Sequence, residues 1–145
     1  NRQTYSFTVF EVFFEKTIFP YIFLQSLKMK KYGGTDYFGD DKDFQISLEE
    51  EFKKNYKLFV TSGYEIEAMQ IFTPEFLREI KTNEAHFNIE FADNRLYIYD
   101  DLIISKKKDL QKLYDVAKKV QDSIGPLLNR LHDYFAVLHP YYIKS

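Results

Sequence analysis

The run Phe87-Asn88-Ile89-Glu90-Phe91, followed by Asp93-Asn94 and then Leu96-Tyr97-Ile98-Tyr99, decides the architecture. Phe87, Ile89 and Phe91 alternate with Asn88 and Glu90, the period of a strand with one buried face. Asp and Asn tolerate positive φ, so Asp93-Asn94 suits a tight turn, and Leu96 to Tyr99 is the return strand. A β-hairpin is therefore expected, and it needs more strands or a helix on its apolar face to be stable.

The helix comes downstream. Asp100-Asp101 ends the return strand and Ser105 can cap the helix after it. Leu110, Leu113, Ala117, Val120, Ile124, Leu127, Leu131, Tyr134 and Leu138 fall alternately three and four residues apart, a heptad stripe over four repeats. Gly125-Pro126 interrupts it. Pro126 lacks an N–H and crowds the carbonyl of Asp122, which predicts a kink or a break there. His139-Pro140 ends the helix and leaves Tyr141-Tyr142-Ile143 as an aromatic tail.

Upstream lie short elements. In Thr73-Pro74, Thr is an N-cap and Pro occupies the first helical position, where its missing N–H costs nothing. Phe76, Leu77 and Ile80 then share one face. Ser62 with Glu65 reads as a capping box opening a helix that carries Ile66, Met69 and Phe72 inward, and Ser47 with Glu50 as another, opening a helix over about Leu48 to Lys54. Tyr56, Leu58 and Val60 alternate as a brief strand between them.

The first third reads as strands. Tyr5, Phe7 and Val9 alternate with Ser6 and Thr8, but Val12 and Phe14 fall on the other parity, which predicts a bulge near Val9-Phe10. Ile18 to Leu24 is nearly all apolar, as in a strand covered on both faces. Pro20 cannot donate to a ladder, so that strand has an edge at Pro20 or starts after it. Lys28 to Asp43, with Gly33-Gly34 and Gly39, reads as a mobile loop. The fold class expected is α+β: an antiparallel sheet, short central helices and a long C-terminal helix, kinked or broken at Pro126, on one face.

Composition bounds the function. The chain has 145 residues, 45% apolar and 29% charged, which is one domain's worth and excludes a disordered chain. The longest uncharged run near the start, Thr17 to Leu27, is 11 residues and contains Pro20, short of the roughly 20 that a spanning helix needs. Twenty Lys and Arg against 22 Asp and Glu leave a net charge of −2, so no global field draws the chain to nucleic acid. There is no Cys, so no disulfide, thiol catalysis or Cys-based zinc site. Twelve Tyr and 15 Phe predict a core built largely of Phe and Tyr. Asn1-Arg2-Gln3-Thr4 lacks the apolar stretch of a signal peptide and an initiator Met, so the chain reads as a piece of something longer.

Ile46-Ser47-Leu48-Glu49-Glu50-Glu51-Phe52, Tyr56-Lys57-Leu58-Phe59-Val60, Glu65-Ile66-Glu67-Ala68 and Phe72-Thr73-Pro74-Glu75-Phe76-Leu77 together resemble a bacterial family of uncharacterised proteins, domain of unknown function 3137 and its relatives. Tyr5 to Leu24 is similar to that family's paired strands, and Phe87 to Tyr99 sits where its last strand pair falls. The resemblance implies hydrophobic spans ahead of Asn1, and so the soluble portion of a membrane-anchored protein at the cytoplasmic face of a bacterial membrane. It implies no catalytic residue, cofactor or ligand. The long helix and Tyr141-Tyr142 depart from the family pattern.

No catalytic, cofactor-binding or metal-binding residue is expected. His132 and His139 lie about 10 Å apart along a helix, too far to share a zinc ion, and His86, His132 and His139 read as surface histidines. Asp36, Asp40, Asp41 and Asp43 do not fit the spacing of a Ca²⁺ loop and read as a solvated loop. Glu65 with Glu67, or Asp100 with Asp101, would need burial to divide acid and base roles. Gly33-Gly34 lacks the strand–turn–helix setting of a phosphate loop.

Lys28, Lys30 and Lys31, near Tyr32, Tyr37 and Phe38, and Lys106, Lys107 and Lys108 read as solvated charge, and scarce Arg speaks against nucleic-acid recognition. Were the protein tethered, a lysine cluster could lie against anionic lipid. The heptad stripe packs in cis or on another chain. Cis packing is favoured, with Tyr134, Phe135, Tyr141 and Tyr142 as anchors for a protein partner or a second copy. The function expected is a non-enzymatic interaction or assembly domain. The alternative is a small-molecule-binding or enzymatic domain with an aromatic-lined groove.

Overall fold

The hairpin forms as its alternation dictates. β5 (Asn88–Asp93) and β6 (Arg95–Asp100) pair antiparallel, with Ala92 opposite Arg95 and Phe91 opposite Leu96. Asp93 takes the positive φ of the turn, +52°. The computed structural model describes residues 8–27, 45–100 and 106–138, with residues 100 and 129–138 described by their backbone alone.

Around the hairpin, β1 (Thr8–Phe13), β2 (Phe19–Ser26), β3 (Gln45–Ile46) and β4 (Tyr56–Val60) complete an antiparallel sheet in the order β1-β6-β5-β2-β4-β3. Helices α1 (Glu65–Ile71) and α2 (Pro74–Thr82) connect β4 to β5, and α3 (Lys107–Leu138) follows β6. The class is α+β, with the long helix on one face of the sheet.

The register sorts side chains between the faces, because directly opposed residues in an antiparallel pair share a face. Ile22, Leu24, Leu58, Val60, Ile89, Phe91, Leu96 and Ile98 share one core with Ile71, Phe72, Leu77 and Ile80 of the α1–α2 region and Val116, Val120 and Ile124 of α3. The opposite face carries Val9, Glu11, Phe13, Phe23, Phe59, Asn88, Glu90, Arg95, Tyr97 and Tyr99.

The central strand β2 is buried almost throughout, as a strand between two neighbours must be. Pro20 lies within it, where the pairing with β5 slips between Phe19 and Ile22 and the pairing with β4 has yet to begin. The missing N–H therefore falls in an irregular stretch of ladder.

Five expectations are corrected. β1 pairs with β6 over six consecutive residues with no bulge at Val9-Phe10. Phe10, Val12 and Phe14 pack against the core, while Val9 and Phe13, on the alternate positions, are about half exposed on the far face. Leu48 to Lys54 is not a helix but a series of turns, closed by Phe52 N–H to Glu49 O, Asn55 N–H to Phe52 O and Tyr56 N–H to Phe52 O. Leu48 and Phe52 are both buried, and the turns lead directly into β4 at Tyr56.

In α1, Ile66 is 71% exposed while Ala68 and Ile71 are buried. Its N-cap is Tyr64 with no side-chain cap, and the Glu65 carboxylate accepts instead from the Gly63 N–H at 2.9 Å. In α3, Leu110 is exposed and Val116 is buried, and the helix runs unbroken through Gly125-Pro126. The buried stripe Leu113, Val116, Ala117, Val120, Ile124 and Leu127 is the broader one of a helix lying on a sheet.

Finally, the interior is shared between Phe and aliphatic residues. Of the described tyrosines only Tyr56 and Tyr64 are buried, since a hydroxyl wants a partner the core rarely supplies.

Thr73 caps α2 as its sequence predicts, its hydroxyl accepting from the Phe76 N–H at 3.2 Å. Thr73→Ala is expected to cost about 1 kcal/mol in urea denaturation. Tyr56 is the reverse case. Its hydroxyl is buried with no hydrogen-bond partner, and burial pushes its pKa up to about 12.

The folded state therefore favours the neutral phenol. Its contribution to stability is complete below the unfolded pKa near 10 and is lost as pH rises towards 12, up to about 2–3 kcal/mol. Tyr56→Phe is expected to raise stability at pH 7 by about 1 kcal/mol and to flatten this alkaline fall. Denaturation midpoints at pH 7, 10 and 11.5 check both.

Candidate functional site

The proposed anchors fall at the end of the chain. Tyr134 and Phe135 lie on the last turns of α3, where only the backbone is described, and Tyr141 and Tyr142 lie outside the described residues. Asp36, Asp40, Asp41, Asp43, Asp101, His139, Gly33-Gly34, Tyr32, Tyr37, Phe38 and the Lys28–Lys31 cluster also lie outside them. His86 is half-buried in the loop between α2 and β5. Lys106, Lys107 and Lys108 are exposed where α3 begins. Glu65 holds the Gly63 N–H, and among the described residues no three His, Asp or Glu gather to hold one ion.

Among the described residues, a groove of about 770 Å³ opens between α2 and α3. Ile80, Ala85 and Val116 give it an apolar surface, and Glu79 of α2 forms an ion pair with Lys119 of α3. Lys112, Val116, Lys119 and Ser123 recur at helical spacing and so line up along α3 towards the groove. No described aromatic ring lines this groove, which is walled by helices, whereas such rings lie largely on strands.

Aromatic groups gather on the opposite face of the sheet. The Glu90 carboxylate accepts from the Tyr21 hydroxyl at 2.5 Å through one oxygen and from the Tyr99 hydroxyl at 3.1 Å through the other. Tyr97 lies directly across from Glu90 on β6, and Phe23 directly across on β2. Asn88, two residues earlier, accepts the Ser26 N–H at 2.8 Å and locks β2 to β5.

Sequence reasoning read Glu90 only as the polar beat of an alternation. The hairpin register alone would have placed it beside Tyr97. Tyr21 becomes a partner only through the β2–β5 pairing, 69 residues away along the chain.

A third cluster is structural. Arg78 of α2 binds Glu51 of the turn segment through two nitrogens, at 2.7 and 3.4 Å, and its guanidinium lies 6.0 Å from the centre of the Phe52 ring. The hydrogen bond from Arg78 holds the Glu51 carboxyl below its ordinary pKa. A carboxyl lowered in the folded state contributes above its unfolded pKa, and that contribution disappears as pH falls through the folded one. Both groups are solvent-exposed, so the pair is a weak clamp of the turns onto α2.

Scans against protein-family models, curated proteins and solved structures each find no match for the chain. Among the described residues, no helix is long and apolar enough to cross a membrane.

Proposed function

We propose that this is a non-enzymatic interaction or assembly domain whose contact element is α3. One observation carries the reading: α3 buries its stripe from Leu113 to Leu127 against the core, yet exposes Leu110 and Tyr114 by 53% and 54% on another side. These two are one turn apart and form a continuous apolar spot. Because the helix passes Pro126 unbroken, the spacing of Leu131, Tyr134 and Leu138 continues on one rod of about 48 Å. Tyr134 and Phe135 on its last turns, with Tyr141 and Tyr142 outside the described residues, remain the proposed anchors.

The proposed partner is a second copy of the chain or another protein, with the domain held at the cytoplasmic face of a bacterial membrane by a tether outside it. The tether rests on the family resemblance alone, and sequencing the codons ahead of Asn1 tests it. Apolar spans there support it, and a leader without them removes it.

Sedimentation velocity across a range of concentrations tests the contact. Self-association that Leu110→Ser with Tyr114→Ser, or Tyr134→Ser with Phe135→Ser, abolishes is the expected result. A chain that stays monomeric, and whose α3 yields no crosslinked partner in the source cell, overturns it.

The groove between α2 and α3 favours a second reading, a small-molecule-binding domain. Its volume falls within the roughly 300–1,000 Å³ of ligand clefts. Stabilisation in a thermal-shift screen of metabolites supports this reading, provided Ser123→Trp, which fills the groove from a half-buried position, abolishes it.

A further inference from the structure

The α3 wall of the groove carries Lys112, Asp115, Lys119 and Asp122, spaced three, four and three residues apart along one side of the helix. The two inner charges are engaged. Asp115 accepts from the Gln111 amide at 2.8 Å, and Lys119 pairs with Glu79 across the groove. The two outer charges are not: among the described residues the side chains of Lys112 and Asp122 have neither an ion-pair nor a hydrogen-bond partner. Lys118, on the exposed rim one turn before Asp122, makes no ion pair with it.

The wall therefore presents a positive group at one end and a negative group at the other, about 15 Å apart along the helix axis. Between them lies the apolar floor of Ile80, Ala85 and Val116. The side chains of Asn83 on the α2 side and Ser123 on the α3 side also make no hydrogen bond. A ligand with one charge satisfies one end and meets its own sign at the other. A free amino acid carries both charges on one carbon and cannot span them. An extended peptide advances about 3.3–3.6 Å per residue, so four residues cover about 13–14 Å, and the peptide groups along it suit the Asn83 amide and the Ser123 hydroxyl. The volume of about 770 Å³ leaves room for a chain of this size.

We propose that the α2–α3 groove binds a short peptide with free termini, about four residues long, its carboxylate on Lys112 and its ammonium on Asp122. The inference rests on the small-molecule reading of this groove and names the ligand class.

The test is isothermal titration of the 145-residue chain with the tetrapeptide Ala-Leu-Ala-Leu. Acetylating its amino end, or amidating its carboxyl end, is expected to weaken binding about fivefold or more, and the dipeptide Ala-Leu, too short to reach both charges, is expected to bind as weakly. Lys112→Gln is expected to weaken the free peptide as far as amidation does and to leave the amidated peptide unchanged. Asp122→Asn does the same with the acetylated peptide, a coupling that a merely structural role of either residue does not produce. Should a variant fail to fold, the capped peptides against the native chain still decide. Absence of peptide binding, equal affinity for free and capped peptides, or a loss in either variant that falls equally on free and capped peptides overturns the inference. Metabolite binding that Ser123→Trp abolishes, with no peptide bound, overturns the inference and keeps the groove reading, whereas loss of both removes the two together.

Discussion

Phe91→Ala is expected to lower the free energy of unfolding by about 3–5 kcal/mol, the range for removing a fully buried Phe from a packed interior. Phe91 is wholly inaccessible and sits where the layers meet. Its ring lies 5.0 Å from that of Phe19 on β2 and 6.5 Å from that of Phe72 between α1 and α2. Across the ladder it faces Ile22 on one side and Leu96 on the other.

The central strands cannot close over the space, because their spacing is held by backbone hydrogen bonds. Most of the cavity therefore survives, and the cavity cost adds to the transfer cost. The melting temperature should fall by on the order of 10 °C. Phe13→Ala is the control: that ring is 51% exposed on the edge strand, over Arg95, and its loss should cost under about 1 kcal/mol. If the two substitutions cost the same in urea denaturation, the placement of Phe91 in the packed core and of Phe13 on an exposed edge is wrong.

Pro126→Ala is expected to act in the opposite direction, raising stability by about 1–3 kcal/mol, of which the upper figure is the full helix-interior difference between Pro and Ala. α3 carries Pro126 within it and keeps its helical course. The Asp122 carbonyl thus lacks its usual donor and is crowded by the ring. Gly125 explains why the helix tolerates this. A Cβ on the residue before proline clashes with the proline ring when that residue is helical, and Gly125 has none.

Space is not the constraint at Gly125, since a Cβ there would meet nothing within 4 Å outside its chain neighbours and the helix backbone. Gly125→Ala should therefore yield little in the native chain and about 0.5–1 kcal/mol once Pro126 is Ala, a non-additivity that a double-mutant cycle reads directly. The urea midpoint should rise with an unchanged slope. A Pro126→Ala chain no more stable than the parent would mean that the turns beyond Pro126 take no part in the cooperative fold.

The legible part of the sequence was local. The β5–β6 hairpin follows from alternation and a turn pair within 13 residues, and α2 from Thr73-Pro74 and three apolar residues on one face. α3 was legible as a helix, but its buried stripe was read about one position too narrow. A strict heptad chooses Leu110 and omits Val116, whereas a flat sheet accepts a wider arc of helix. Leu48 to Lys54 has the residues of a helix, but it forms turns that bury Leu48 and Phe52 and feed β4. Ile66 has the hydrophobicity of a core residue, but α1 turns Ala68 and Ile71 to the core and leaves Ile66 outside.

The candidate sites were less legible, since each joins segments distant in the chain. The α2–α3 groove brings Glu79 and Ile80 of α2 to Val116 and Lys119 of α3, and the Glu90 cluster needs Tyr21 to arrive on β2. Neither pairing leaves a mark in local spacing.

By itself, then, the order of residues determined the class of fold, the hairpin, the capped helix and the long rod, because propensity, capping and periodicity act within a few residues of the chain. Only the tertiary structure decided that β2 lies between β4 and β5, that Leu110, Tyr114 and Ile66 face outward, and that two tyrosine hydroxyls close on one carboxylate. Those outcomes depend on which surfaces meet, and the meeting is chosen by burial summed over the whole chain.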